Sequence, residues 1–102
     1  YFAGRLSGAG QRALDEAAGL TMTFRKPTLE YFKQFYGDTA LSGYTPALMC
    51  GYEFFGAEHI VFGSDSPFGD IEQKIVSVEQ MAIPESDKYL IFVGNAQRLL
   101  HM

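Results

Sequence analysis

The sequence predicts an α/β fold built on two parallel strands with a helix crossing between them. Three observations carry this expectation. The run Ile60-Val61-Phe62-Gly63 is apolar, too short for an ordinary helix, and stops abruptly at Ser64-Asp65. Such a run reads as a strand buried on both faces, the parallel kind. A second candidate strand covers residues 36–41, and between the two Thr45-Pro46 marks a helix start. Strand, helix and strand therefore follow in the order of a right-handed crossover unit.

The elements are justified in order. Residues 1–10 are rich in Gly and read as a loop, and residues 11–18 read as a short helix ended by Gly19. Pro27 suits the first turn of the next helix, whose apolar face carries Leu29, Phe32 and Phe35. Residues 36–41 form the first strand, with Asp38 inside it. Thr45 is the expected N-cap and Pro46 the first residue of a helix with Leu48, Tyr52 and Phe55 on its buried stripe. Gly56 ends that helix, and residues 59–63 form the second strand. Residues 70–81 form the next helix, burying Ile71, Ile75 and Val78, and Pro84 breaks it. Ser86 is expected to cap a further helix ended by Gly94, and Asn95 to cap a last one through Leu99 and Leu100. Two parallel strands alone leave open edges and an uncovered face. The chain is therefore expected to dock on other strands, as a piece of a larger α/β protein or as an intimate oligomer.

Composition narrows the partners. The 102 residues suffice for one small domain, and 47% hydrophobic residues argue against disorder. The net charge is −4 with scattered basic residues, which is no footprint for nucleic acid. No apolar stretch approaches the roughly 20 residues of a membrane span. The lone Cys50 fits a reducing compartment, and a cytoplasmic protein is expected. The chain opens at Tyr1-Phe2-Ala3-Gly4-Arg5 without an initiator Met or a signal-peptide pattern, as an internal segment would.

Few residues are candidates for chemistry. Asp65 stands at the carboxyl end of its strand, the rim where catalytic groups collect in barrels of alternating strands and helices. Its carboxylate is a metal ligand, an acid/base, or the cap of the following helix. Asp38 is a second rim carboxylate or, the simpler reading, a turn residue that binds nearby backbone. Arg5 offers a planar fork for a substrate carboxylate, or is an ordinary surface residue. His59 precedes the strand that ends at Asp65 and so belongs at the opposite face, away from any metal. His101 lies in the tail, Cys50 reads as a bystander thiol, and Asn95 as a helix cap. Phe54-Phe55 and Phe35-Tyr36 read as core.

The segment from Ile60 through Gly63-Ser64-Asp65-Ser66-Pro67-Phe68 resembles the last barrel strand of the amidohydrolase-related family (amidohydrolase 2) that includes aminocarboxymuconate-semialdehyde decarboxylase and the resorcylate decarboxylases. Tyr36-Gly37-Asp38-Thr39-Ala40 is similar to that family's seventh strand, and Pro46-Ala47-Leu48 to the start of the helix after it. Gly94-Asn95-Ala96-Gln97-Arg98-Leu99-Leu100 is similar to its closing signature, and Phe2-Ala3-Gly4-Arg5 to the segment after its sixth strand. The motifs are short but collinear over essentially the whole chain.

The resemblance implies that residues 1–102 are the C-terminal portion of a (β/α)8 TIM barrel, its last two strands and their helices, incomplete alone. It implies a divalent metal, most simply zinc, held by a His-x-His pair on the first strand, a His from a middle strand and the aspartate of the last strand. Only the last is present, as Asp65, which serves as metal ligand and, in hydrolytic relatives, also as proton acceptor. A further catalytic His on the sixth strand would fall before Tyr1. Arg5 matches a segment where acid-binding relatives place an Arg, so it is the expected substrate contact. Ser66 departs from the aromatic that often follows the aspartate, which alters the pocket lining. The implied activity is hydrolysis or non-oxidative decarboxylation of a small carboxylate-bearing substrate by the intact parent, with this segment inactive alone. The competing reading is a non-catalytic barrel segment or assembly module, favoured by the lack of every His ligand from this chain.

Overall fold

A computed structural model of the chain describes residues 28–102. The expected loop over residues 1–10, the helix over 11–18, the helix start at Pro27 and the candidate Arg5 lie outside the described residues. The chain divides into two compact units, Tyr1–Phe35 and Tyr36–Met102.

In the first unit the described element is helix α1, Thr28–Phe32. A turn follows it, in which the Phe35 N–H donates to the Phe32 carbonyl at 3.1 Å. Phe35 thus falls beyond the helix and is exposed, rather than extending its apolar face. Its ring still meets Phe32 edge-on, with centroids 5.9 Å apart.

In the second unit strand β1, Gly37–Asp38, pairs in parallel with β2, Ile60–Val61, in the register Gly37 to Ile60 and Asp38 to Val61. Helix α2, Thr45–Phe55, crosses between them as expected. Both strands are shorter than the sequence suggests, for local reasons. After Asp38 the chain turns, because its Oδ1 accepts the Ala40 N–H at 2.9 Å and the Thr39 carbonyl accepts the Leu41 N–H at 2.8 Å. Before Ile60 a 3-10 turn, Ala57–His59, takes up His59, the residue expected to open β2, and the strand pairing ends at Val61.

The helix termini depart from expectation by small, explicable amounts. Tyr44, in extended backbone, is the N-cap of α2, and Thr45 is its first residue. The Thr45 hydroxyl is drawn away from capping because it donates to the Ser77 carbonyl at 3.2 Å. Gly56 closes α2 as expected: at φ 78° it adopts the left-handed backbone that favours glycine, and its N–H donates to the Tyr52 carbonyl. Helix α3, Ile71–Glu79, is capped by Asp70, whose side chain accepts the Glu72 N–H at 3.0 Å. Its buried stripe is Lys74, Ser77 and Val78, continued by Met81, while Ile71 is exposed. That stripe has the i, i+3, i+4, i+7 spacing of one helix face. A reading by residue type passes over it because Lys74 is charged, yet a lysine stem packs well against apolar surface.

The C-terminal elements run without interruption: helix α4, Glu85–Tyr89, a π-helical turn, Leu90–Gly94, and helix α5, Asn95–Leu99. Pro84 is the N-cap of α4, so Ser86 lies inside the helix instead of capping it. Gly94 and Asn95 both keep helical backbone, so neither the stop at Gly94 nor the cap at Asn95 is realised. The wide turn carries the chain through the glycine, and Asn95 is free to turn inward. The core is Leu48, Ile60, Val78, Met81 and Ile91, with Tyr52, Phe55, Phe62 and Phe92 among the side chains packed around it.

One edge expected to be open is occupied. In a strand, the backbone groups of alternate residues point to opposite edges. On the edge of β2 away from β1, the Ile60 carbonyl accepts from Asn95 Nδ2 at 2.7 Å, and the Phe62 N–H donates to the Ile91 carbonyl at 2.9 Å. The C-terminal helical run thus takes the place of a neighbouring strand there.

Candidate functional site

Parallel strands deliver their carboxyl ends to one rim, so Asp38-Thr39 and Gly63-Ser64-Asp65 leave the sheet side by side. Thr39 is 1% exposed. Its hydroxyl donates to the Gly63 carbonyl and accepts the Gly63 N–H, both at 3.0 Å. One side chain thereby satisfies both backbone groups of a residue 24 positions away. Gly63 eases this fit: a β carbon there would lie 3.3 Å from Asp38 Cβ, tighter than ordinary contact, so Asp38 would have to give way slightly.

Asp65 follows two residues later. It is exposed and has φ 57°, a left-handed conformation uncommon outside glycine. Its carbonyl accepts the Gly69 N–H at 2.7 Å, and Ser64 Oγ accepts the Ser66 N–H at 3.3 Å. Gly69 packs directly on the Ser64 carbonyl, where a β carbon would collide with backbone. Of the three roles open to Asp65 from sequence, the helix cap is taken by Asp70. Among the described residues nothing hydrogen-bonds the Asp65 carboxylate. The residue is open to solvent.

The other candidates are placed as follows. Asp38 spends one carboxylate oxygen on the Ala40 N–H, the turn role the sequence favours. His59 stacks flat on Tyr36, with centroids 4.6 Å apart, at the amino end of β2 and so away from Asp65. Cys50 is exposed on α2, and His101 is exposed in the tail. Among the described residues no three His, Cys, Asp or Glu side chains gather as a metal cage. A largely apolar cavity of about 340 Å³ lies beside β1, lined by Tyr36, Asp38, Thr39, Leu48, Phe55 and Met81 among others. Tyr52 donates to Asp87 Oδ2 at 2.7 Å, and this bond to a carboxylate, aided by burial and by the charge, raises its phenol above the usual tyrosine range.

Three residues that matter to this site's support were not legible as such. Thr39 reads as a strand former, since its partner is distant in sequence. Asn95, fully buried, donates from Nδ2 to the Ala57 and Ile60 carbonyls, both at 2.7 Å, and accepts from Arg98 at 3.3 Å. Lys74 is 4% exposed, with its stem beside Gly69 of the Asp65 loop.

The fold and rim point to a class: an α/β protein with a carboxylate presented where a parallel sheet ends. Comparison with known proteins gives the family. The family model described as amidohydrolase matches residues 3–102, and the chain belongs to that family. The structure superposes on the 5-carboxyvanillate decarboxylase of Sphingomonas paucimobilis with a TM-score of 0.81 and 22% identity, covering 99% of this chain and 30% of that one. It superposes on the 2,6-dihydroxybenzoate decarboxylase of Rhizobium at a TM-score of 0.68 and 26% identity, over 85% of this chain and 28% of that one. A dihydroxybenzoic acid decarboxylase of a Polaromonas species, with bound manganese and the inhibitor 2-nitroresorcinol, matches at a TM-score of 0.67 and 28% identity, over 97% of this chain and 32% of that one. The chain thus spans about a third of the length of these solved structures. No curated protein matches it. No helix among the described residues is long and apolar enough to cross a membrane.

Proposed function

We propose that residues 1–102 form the C-terminal portion of a (β/α)8 barrel in a metal-dependent enzyme of the amidohydrolase family, and that Asp65 is its metal ligand from the last strand. The observation that carries this reading is Asp65 itself, exposed in the loop that follows the carboxyl end of β2, with the helix cap supplied by Asp70. An unengaged carboxylate suits a divalent cation, and the described residues contribute no complete cage, so the remaining ligands come from other parts of the barrel. Phe68, 91% exposed in the loop after Asp65, is an apolar side chain that such parts would cover.

The decarboxylase neighbours favour non-oxidative decarboxylation over hydrolysis, acting on a small carboxylate-bearing substrate. When bound, the metal would supply a Lewis-acid centre for a substrate oxygen. Asp65 contributes the negative charge that holds the cation, and the loop from Ser64 to Gly69 fixes where that charge sits. Arg5 is the candidate contact for the substrate carboxylate. Zinc is the metal expected from sequence, and manganese is the metal of one neighbour.

The test is Asp65→Asn in the intact protein, with metal content and turnover measured together. The substitution keeps shape and removes charge. Loss of the metal and most of the turnover, with an unchanged circular dichroism spectrum, is expected. Wild-type metal content and turnover in Asp65→Asn would overturn the assignment, and elemental analysis of the wild type decides between zinc and manganese.

A further inference from the structure

We propose that Thr39 is a positioning residue for Asp65, acting through Gly63; the proposal rests on the reading of Asp65 as a metal ligand. The rim loop carrying Asp65 has two anchors. On its far side the Asp65 carbonyl accepts from Gly69, which is packed on the Ser64 carbonyl. On its near side the anchor is the Thr39 hydroxyl. The ladder between β1 and β2 spans two pairs and ends at Asp38 and Val61. Gly63 would be the next residue of β2 to face β1, and the Thr39 hydroxyl takes both of its backbone groups in place of main-chain partners.

The position of Asp65 depends on this anchor. Only Ser64 separates it from Gly63, and its own backbone is held at φ 57°. Rotation about the Gly63-Ser64 bonds would swing the carboxylate along the rim, and Gly63, having no side chain, does not resist it. The resistance comes from Thr39. Since Thr39 is 1% exposed, water does not readily replace its hydroxyl. A hydroxyl both donates and accepts at one oxygen, which is what the adjacent N–H and C=O of a single residue require. Valine has the same shape and offers neither. The two bonds at Gly63 are thus made by the hydroxyl, the one group in which threonine differs from valine.

The experiment is a series at this position, Thr39→Ser, Thr39→Cys and Thr39→Val, beside Asp65→Asn, in the intact protein. The readouts are the affinity for added Mn²⁺ or Zn²⁺, by calorimetry on metal-stripped protein, and the thermal stability of that stripped protein. Partners that orient a metal ligand typically change affinity by roughly ten- to a hundred-fold when removed. Thr39→Val is expected to weaken metal binding by at least about tenfold, Thr39→Ser to stay within about threefold of wild type, and Thr39→Cys to fall between. If Thr39→Val does not fold, the Ser and Cys variants still decide, because affinity must follow hydrogen-bonding capacity. Wild-type affinity in Thr39→Val or Thr39→Cys, or loss in Thr39→Ser, overturns the proposal when Asp65→Asn has lost the metal. Retention of metal by Asp65→Asn instead overturns the reading of the site on which the proposal rests.

Discussion

Asn95 provides the sharpest test of how the C-terminal run is joined to the sheet. Two roles for this residue make opposite demands on a single substitution. As a helix cap, Asn95 would be replaced by Asp at almost no loss, since the two cap equally well, and by Ala at about 1 kcal/mol. As the buried donor described above, it supplies two N–H bonds at 2.7 Å to the Ala57 and Ile60 carbonyls. Each such bond contributes about 0.5–1.5 kcal/mol net, and stranding a buried carbonyl adds a further penalty of about 1–3 kcal/mol. Asn95→Ala should therefore destabilise by about 2–4 kcal/mol. Asn95→Asp should be at least as harmful, because it removes both donors and points a carboxylate at two carbonyl oxygens at a site with 0% exposure. Urea unfolding of the intact protein measures this. With a slope of about 1–3 kcal/mol per molar, a loss of about 3 kcal/mol lowers the midpoint by roughly 1–3 M. Wild-type stability in Asn95→Asp would refute the donor role and restore the cap.

Two further perturbations follow from the same packing. Lys74 has its stem buried and, among the described residues, no partner for its ammonium. Lys74→Met should be neutral or stabilising by up to about 1 kcal/mol, whereas Lys74→Ala should lose roughly 1–2 kcal/mol of packing; a loss above about 2 kcal/mol for Met would reveal a pairing carboxylate elsewhere in the protein. Tyr52 has its phenol raised by the bond it donates to Asp87, so its contribution to folding is fully present below the unfolded value of about 10 and is lost as pH climbs through the raised folded value. The stability difference between wild type and Tyr52→Phe, measured by denaturation, should be constant below about pH 9 and shrink above about pH 10; a difference that persists into more alkaline solution would show that the hydroxyl does not act through its proton.

What could be read from the sequence was whatever depended on near neighbours. The crossover unit was legible because a short apolar run, a Thr-Pro helix start and a Gly stop each have a local physical cause. Asp65 was legible as a strand-end carboxylate for the same reason. Its freedom from capping was not. Asp65 and Asp70 both stand before the helix, and only the path of the intervening loop assigns the cap to Asp70. Thr39 and Asn95 were missed because their partners lie 24 and 35 or more residues away and are backbone groups, which leave no trace in the partner's residue type. Asn95 was further disguised by Gly94, which locally reads as a stop. The π-helical turn carries the helix through that glycine, and no simple periodicity announces such a turn. Lys74 was hidden by its charge, although it is buried, with its stem beside Gly69.

The same particulars explain how strands of two residues can hold a rim in place. A ladder of this length contributes few main-chain bonds, and a pair of strands with nothing else beside it would have open edges. The second strand is secured instead by side chains and by a helix. Toward β1, its backbone is continued by the Thr39 hydroxyl at Gly63. Away from β1, Asn95 takes the Ile60 carbonyl, and the Ile91 carbonyl in the π-helical turn receives the Phe62 N–H. Ile91 and Ile60 belong to the same buried core, so the polar ties and the apolar packing act on the same residues. The consequence is directional. Among the described residues the edge of β2 at Ile60 and Phe62 is engaged by the C-terminal helical run, whereas the outer edge of β1 has no strand beside it. The C-terminal helices therefore do more than cover a face. They fix β2 from the side on which the sheet cannot, and with it the position from which Asp65 reaches the rim.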